Sequence, residues 1–213
     1  LIERSLTILR RNFIMKTATI VRTIVLVFAL VNQSLVLVGY SPLPFDDAQV
    51  ENHAIGGRSS KTFIEEGRLE PIVKELTEND FLFIQMGHND STKNRPERYT
   101  EPFSTYKEYL KIYVDRAREC GAQPVLITPV ARLHKENDRY INDFQDYCTA
   151  MKEVAEVERV PVLDLMDSSL KYYESIGYEE AVTLFMASIN ETDFTHFTKK
   201  GANQIARILS EEI

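Results

Sequence analysis

The run Phe81-Leu82-Phe83-Ile84-Gln85-Met86 is apolar at almost every position and is fed by the turn residues Asn79 and Asp80. An unbroken apolar stretch this short reads as a buried strand rather than a helix. Downstream the period changes. Tyr106, Tyr109, Leu110, Tyr113, Val114 and Ala117 recur at helical spacing, Gly121 stops the helix, and Pro124-Val125-Leu126-Ile127-Thr128 reads as the next strand. Aromatics at that spacing could offer a platform for stacking sugars, but the spacing is that of a core-facing stripe and they are taken as core. A second cycle repeats the pattern. Ile141, Phe144, Met151 and Val154 fall on one helical face, and Val160 to Leu165 forms a strand. A last helix, capped by Thr198, carries Ile205, Ile208 and Leu209. A strand around Gln49 to Glu51 and the apolar Leu35 to Val38 complete the set. Strands alternating with helices predict a parallel sheet between two helical layers, a three-layer α/β/α sandwich.

The first residues follow another pattern. Leu1 to Ile14 is basic and unpatterned; a charged stretch from Met15 to Arg22 then precedes the apolar Ile24 to Val31. That run is too short to span a bilayer and suits the apolar centre of an export signal starting at Met15, although no A-x-A site follows. The expectation is a leader over 1–34, a folded domain over 35–213, and a secreted or periplasmic protein; without a signal, a cytoplasmic one. No stable membrane span is expected. The 213 residues, 44% of them hydrophobic, suffice for one core. A net charge of -7 excludes a nucleic-acid surface, which needs a basic face. Cys120 and Cys148 define neither a disulfide framework nor a metal site and read as small buried hydrophobes in helices.

Three segments carry candidate chemistry. Gly87-His88-Asn89-Asp90 leaves the carboxyl end of the first strand described, where open α/β sheets place ligands. Asn89 can aim an amide donor at a developing oxyanion, whereas the bland alternative is a turn. Asp193-Phe194-Thr195-His196 sets a carboxylate three residues before an imidazole, so that Asp193 can accept the Nδ1 proton and leave the other nitrogen as a base. Asn52-His53-Ala54-Ile55-Gly56-Gly57-Arg58-Ser59-Ser60 follows the Gln49 strand, and its Gly57 amide is a second candidate oxyanion donor. Ser60-Lys61-Thr62 mimics the end of a phosphate loop, but Ile55 and Ser60 stand where that loop requires glycine. His53 and His88 sit in glycine-bearing turns without a carboxylate at suitable spacing, and read as structural hydrogen-bonders or substrate contacts. His134 lies on a strand-end loop and is a candidate substrate contact. No H-E-x-x-H or similar spacing occurs, so neither metal nor cofactor is expected.

Taken in order, N-x-A-x-G-G-R-S, then G-H-N-D behind a strand, then D-x-x-H before the final helix, the chain resembles the SGNH (GDSL-type) hydrolases from about Ala48 onward. Within them it is most similar to the rhamnogalacturonan acetylesterase branch. The resemblance implies a flavodoxin-like sheet and a serine esterase. Asp193 and His196 would be triad partners, and Gly57, Asn89 and the nucleophile's own amide would form the oxyanion hole. It also implies an O-acetylated plant cell-wall polysaccharide as substrate. An acidic polymer would have to be met by local cations such as Arg58, with His88 and His134 as further contacts. The departure lies at the nucleophile. The family's strand ends in G-D-S; here it reads Leu35 to Val38 followed by Gly39-Tyr40-Ser41, and the stretch from Gly39 to Asn52 is shorter than usual. Ser41 is the first candidate nucleophile, with Ser34 and Ser59 behind it. The alternative is a carbohydrate-binding domain of this fold with an impaired nucleophile segment.

Overall fold

The computed structural model describes residues 23–28 and 49–213. Among these, five strands form one parallel sheet: β1 (Thr23–Phe28), β2 (Gln49–Asn52), β3 (Phe81–Gln85), β4 (Gln123–Ile127) and β7 (Val162–Leu163). Their spatial order is β2-β1-β3-β4-β7. This is the flavodoxin-like order, whose direction of progress reverses between β1 and β3. The register makes the carboxyl ends nearly level. Phe28 pairs with Gln85, Gln85 with Ile127 and Ile127 with Leu163. The loops that follow β2, β3 and β4 therefore open along one edge of the sheet.

Helices α1 (Ser60–Glu65), α2 (Leu69–Glu75), α3 (Lys107–Glu119) and α4 (Gln145–Glu158) pack through α3, and α5 (Leu165–Ile176) packs on α8 (Lys199–Glu212). The short helices α6 (Tyr178–Val182) and α7 (Ala187–Asn190) lie between them in sequence. The result is the three-layer α/β/α sandwich. Every residue of β3 is buried, as its unbroken apolar run requires. Tyr106, Leu110, Tyr113, Val114 and Ala117 are buried too, so the tyrosine stripe is core; Tyr109 is half-buried and donates to Glu65.

Several elements differ from their sequence-based bounds. The apolar stretch expected as the centre of an export signal supplies β1, paired with β2 on one side and β3 on the other. Thr, Ile and Val are β-branched and suit a central strand as well as a signal. Leu35 to Val38 lies outside the described residues. Tyr106 sits in a π-turn, Pro102–Tyr106, ahead of α3. The helix expected from Ile141 starts only at Gln145, because Asn142 Oδ1 accepts from Phe144 N at 2.9 Å and holds the preceding turn. The last strand is two residues long, since Asp164 turns the chain into α5 as its N-cap. An unforeseen hairpin joins β5 (Lys135–Glu136) to β6 (Arg139–Tyr140) through Asn137 and Asp138, both at positive φ. Cys148 is buried in α4, its thiol pushed up to about 12 by burial, while Cys120 caps α3 and donates to Val73 O.

Candidate active site

The floor of the site is built around Asp90. Its buried carboxylate accepts from Ser60 N (3.1 and 3.2 Å), Ser60 Oγ (2.5 Å), Gly87 N (3.0 Å) and Thr100 Oγ1 (3.0 Å). Burial pushes the Asp90 carboxyl up to about 6, against the pull of these donors. The bonds join the loop after β3 to the start of α1. Gly87 is required there: its φ is +133°, and a Cβ would lie 2.6 Å from Pro129 Cγ. Tyr147 Oη closes the knot from α4, donating to Asp90 O and Thr100 O.

Asn89 is anchored to this floor. Its Nδ2 donates to Arg58 O at 2.9 Å, which brings the β3 loop against the Gly57-Arg58 turn. Gly57 holds φ +81°, the left-handed conformation that glycine adopts without strain. Arg58 is engaged with Glu66 Oε2 at 3.0 Å and Gly56 O at 3.1 Å, so its guanidinium serves the turn rather than standing open to a ligand. Ser59 is fully buried in the capping box of α1, where Oγ accepts from Thr62 N. That placement removes Ser59 as a nucleophile. Ser41, Tyr40 and Ser34 lie outside the described residues.

The wall opposite carries the dyad. Asn190 Oδ1 accepts from Thr192 N and Asp193 N, and Met186 N and Ala187 N donate to His196 O and Asp193 O, both at 2.8 Å. With the Met186 and Ala187 N–H groups donating to those carbonyls, Asp193 Oδ2 accepts from His196 Nδ1 at 2.8 Å, while Oδ1 accepts from His196 N and Thr195 N. Burial acts to raise the Asp193 carboxyl, yet the three donors outweigh it and hold it below its ordinary value. Asp193 is therefore a carboxylate, and the His196 ring, 45% exposed, turns its Nε2 away from it.

Floor and wall meet through His88 and the segment after β4. His88 is not a substrate contact: its ring is buried, lies edge-on to Phe144, and its Nε2–H donates to Val130 O at 2.9 Å. Burial pulls His88 down to about 3, and the nearby charges of Arg132 and His196 act in the same direction, so the ring stays neutral. Leu133 N donates to Phe194 O at 3.0 Å and ties this segment to the dyad loop. Between them opens a cleft of about 800 Å³, lined by Arg132, His134, Lys135, Tyr178 and Phe194 among others. His134 does face it, with Nδ1 2.6 Å from Asp143, which holds its pKa above the ordinary value.

Asp90, Ser60 and Arg132 were invisible as site residues in the sequence. Asp90 looked like a turn residue, and only the fold brings Ser60 and Thr100 to it. His53, contrary to expectation, does meet a carboxylate: Nε2 lies 3.5 Å from Glu51. With Glu75 the two place one ligand atom each within 4.8 Å of one another, at the carboxyl end of β2. Nothing else there points to a metal.

A parallel sheet with an Asp-His pair on its carboxyl edge is the frame of an acyl hydrolase of the flavodoxin-like type. Residues 31–209 match the family described as GDSL-like lipase/acylhydrolase, and the chain belongs to that family. It is 57% identical over 173 residues to the probable rhamnogalacturonan acetylesterase YesY of Bacillus subtilis (strain 168), covering 81% of this chain and 79% of that protein. It is also 41% identical over 174 residues to the rhamnogalacturonan acetylesterase RhgT of the same organism, covering 77% of this chain and 73% of RhgT. Among solved structures, the Bacillus subtilis protein YxiM superposes with a TM-score of 0.72 at 25% identity, over 90% of this chain and 55% of that one. This chain thus spans about half the length of YxiM.

Proposed function

We propose that this protein is a serine esterase that removes O-acetyl groups from rhamnogalacturonan, a pectic polysaccharide of the plant cell wall. The observation that supports this best is the Asp193-His196 pair, bonded at 2.8 Å beside a cleft, in a chain 57% identical to a probable rhamnogalacturonan acetylesterase. The nucleophile is Ser41. Its Oγ attacks the acetyl carbonyl carbon while His196 Nε2 takes the hydroxyl proton, and Asp193 stabilises the imidazolium that results. The carbonyl oxygen becomes an oxyanion met by the amides of Ser41 and Gly57 and the side chain of Asn89. Collapse breaks the bond to the sugar oxygen, which leaves with the proton from His196. A water, deprotonated by His196, then attacks the acetyl-Ser41 carbonyl; collapse breaks the bond to Ser41 Oγ, which takes the proton back from His196 as acetate leaves.

Tyr40 stands where the family's loop carries an Asp, and its phenol cannot supply the anionic acceptor that an Asp would. Misplacement of a reacting atom by about 1 Å can cost ~10²-fold in rate, and slow turnover is expected. Acetate released from acetylated rhamnogalacturonan oligosaccharides tests the reading. Release that disappears in Ser41→Ala and His196→Ala supports it; no release by the folded protein, on these oligosaccharides or on an aryl acetate, rejects it.

A further inference from the structure

Among the described residues, the cleft beside the dyad holds one cation, Arg132, on which the charges of Asp143 and Asp193 act without an ion pair or hydrogen bond. His134 is 2.6 Å from Asp143, and Lys135 Nζ is 3.1 Å from Asp138, so the two carboxylates that line the cleft are each paired. Asp193 is occupied by His196 and two backbone donors. Arg132 lines the same cleft, is half-buried, and makes neither an ion pair nor a hydrogen bond among the described residues; its buried Nε has no acceptor. Its guanidinium carbon lies over the Phe144 ring, 4.8 Å from the centre, a cation–π contact. The partly buried Arg58 and Arg116, by contrast, are met by Glu66 and by Glu70 and Glu119.

A half-buried guanidinium without an acceptor is costly to keep unless a ligand completes it. A planar guanidinium fork suits a carboxylate, which it can hold through two parallel N–H···O bonds. We infer that Arg132 is a specificity residue that binds the carboxylate of a uronate sugar next to the acetylated one, and so selects an acidic polysaccharide over a neutral one. The inference rests on the proposed activity for its substrate class, rhamnogalacturonan having galacturonate in its backbone. It moves the cation expected at Arg58 to the other side of the site, where the cleft is open. The overall charge of -7 makes a local cation necessary for such a polymer.

The test is calorimetric binding of deacetylated rhamnogalacturonan oligosaccharides to the intact protein, as free acids and as methyl esters of the same length. The wild type should bind the acid about tenfold more tightly, the size expected of hydrogen bonds to a charged group. Arg132→Gln should bind the two alike. Arg132→Lys, which keeps the charge and loses the fork, should retain only part of the preference, and it carries the test if Arg132→Gln fails to fold. Equal binding of acid and ester by the wild type, or an undiminished preference in either folded variant, would overturn the inference. Acetate release is scored separately. Turnover without acid preference defeats the role of Arg132 and leaves the esterase standing, whereas acid preference without turnover does the reverse.

Discussion

The floor around Asp90 and the wall around His196 serve one site by opposite means. Asp90 is buried and held by backbone and hydroxyl donors from three separate segments, so its position is over-determined. His196 is half-exposed, and its ring is oriented by one carboxylate on its own loop. A group that only shapes the platform for Asn89 can be locked in the interior. A base that must exchange protons with substrate and water has to stay open. Stability is therefore expected to concentrate at the floor and chemistry at the wall, and mutations should separate the two.

The largest separation is expected at the wall. His196→Ala should lower kcat/KM by ~10²- to 10⁴-fold, the range for a positioned general base, while shifting unfolding free energy by about 0.5 kcal/mol or less as an exposed site. Steady-state kinetics with urea melts checks both. A comparable loss of stability would mean that the loop needs the imidazole to fold.

At the floor the order reverses. Asp90→Ala leaves Ser60 N, Ser60 Oγ, Gly87 N and Thr100 Oγ1 buried without their acceptor, and should cost about 3 to 5 kcal/mol in urea unfolding, as breaking a buried charged network does. Activity would be lost with the fold. A melt close to wild type would show that water replaces the carboxylate and that the floor is not over-determined.

The pH dependence of stability sharpens the contrast. The native state keeps a proton on Asp90 up to about pH 6, while the unfolded chain gives it up near 4. In that window the native state binds more protons, so stability falls as pH rises from about 4 to 6, by on the order of 3 kcal/mol from this group. Asp193 works in the opposite sense. Its carboxyl is held low, so its contribution is present above about pH 4 and is lost as pH falls through the lowered value. Comparing wild type with Asp193→Asn below pH 4 isolates the second effect; an Asp193→Asn protein that loses stability on acidification as wild type does would contradict it.

A smaller effect belongs to the edge of the floor. Gly87→Ala meets Pro129 at 2.6 Å in a conformation that side chains rarely adopt, and should cost about 1 to 3 kcal/mol. Thermal melting measures it. Ser59→Ala should cost about 1 kcal/mol through the lost cap of α1 and leave the esterase active, which also tests its exclusion as nucleophile.

The same contrast governs what the sequence disclosed. The dyad is local: Asp193 and His196 are three residues apart, so spacing alone suggested their bond. The buried strand β3 and the Thr198 cap of α8 are local as well, and Thr198 Oγ1 does accept from Gly201 N. Asp90 depends on Ser60, thirty residues away, and carries the composition of a turn, so nothing near it in sequence announces its role. Arg132 was passed over because the absence of a partner is a property of the fold. β1 was not anticipated as a strand, since a short apolar run rich in β-branched residues satisfies both a signal and a strand. For His88 the sequence offered a structural hydrogen-bonder or a substrate contact, since a glycine-bearing turn allows both; the fold packs the ring on Phe144 and bonds it to Val130 O, as the first of these has it.

The claim that joins floor and wall is that both serve a serine at position 41, and covalent labelling tests it most directly. A fluorophosphonate probe should label the folded protein slowly, and mass spectrometry should place the label on Ser41. His196→Ala should slow the labelling by ~10²-fold or more, since the base is needed to activate the hydroxyl. Label on another serine, no label at all, or equal labelling of the His196→Ala protein would contradict the account.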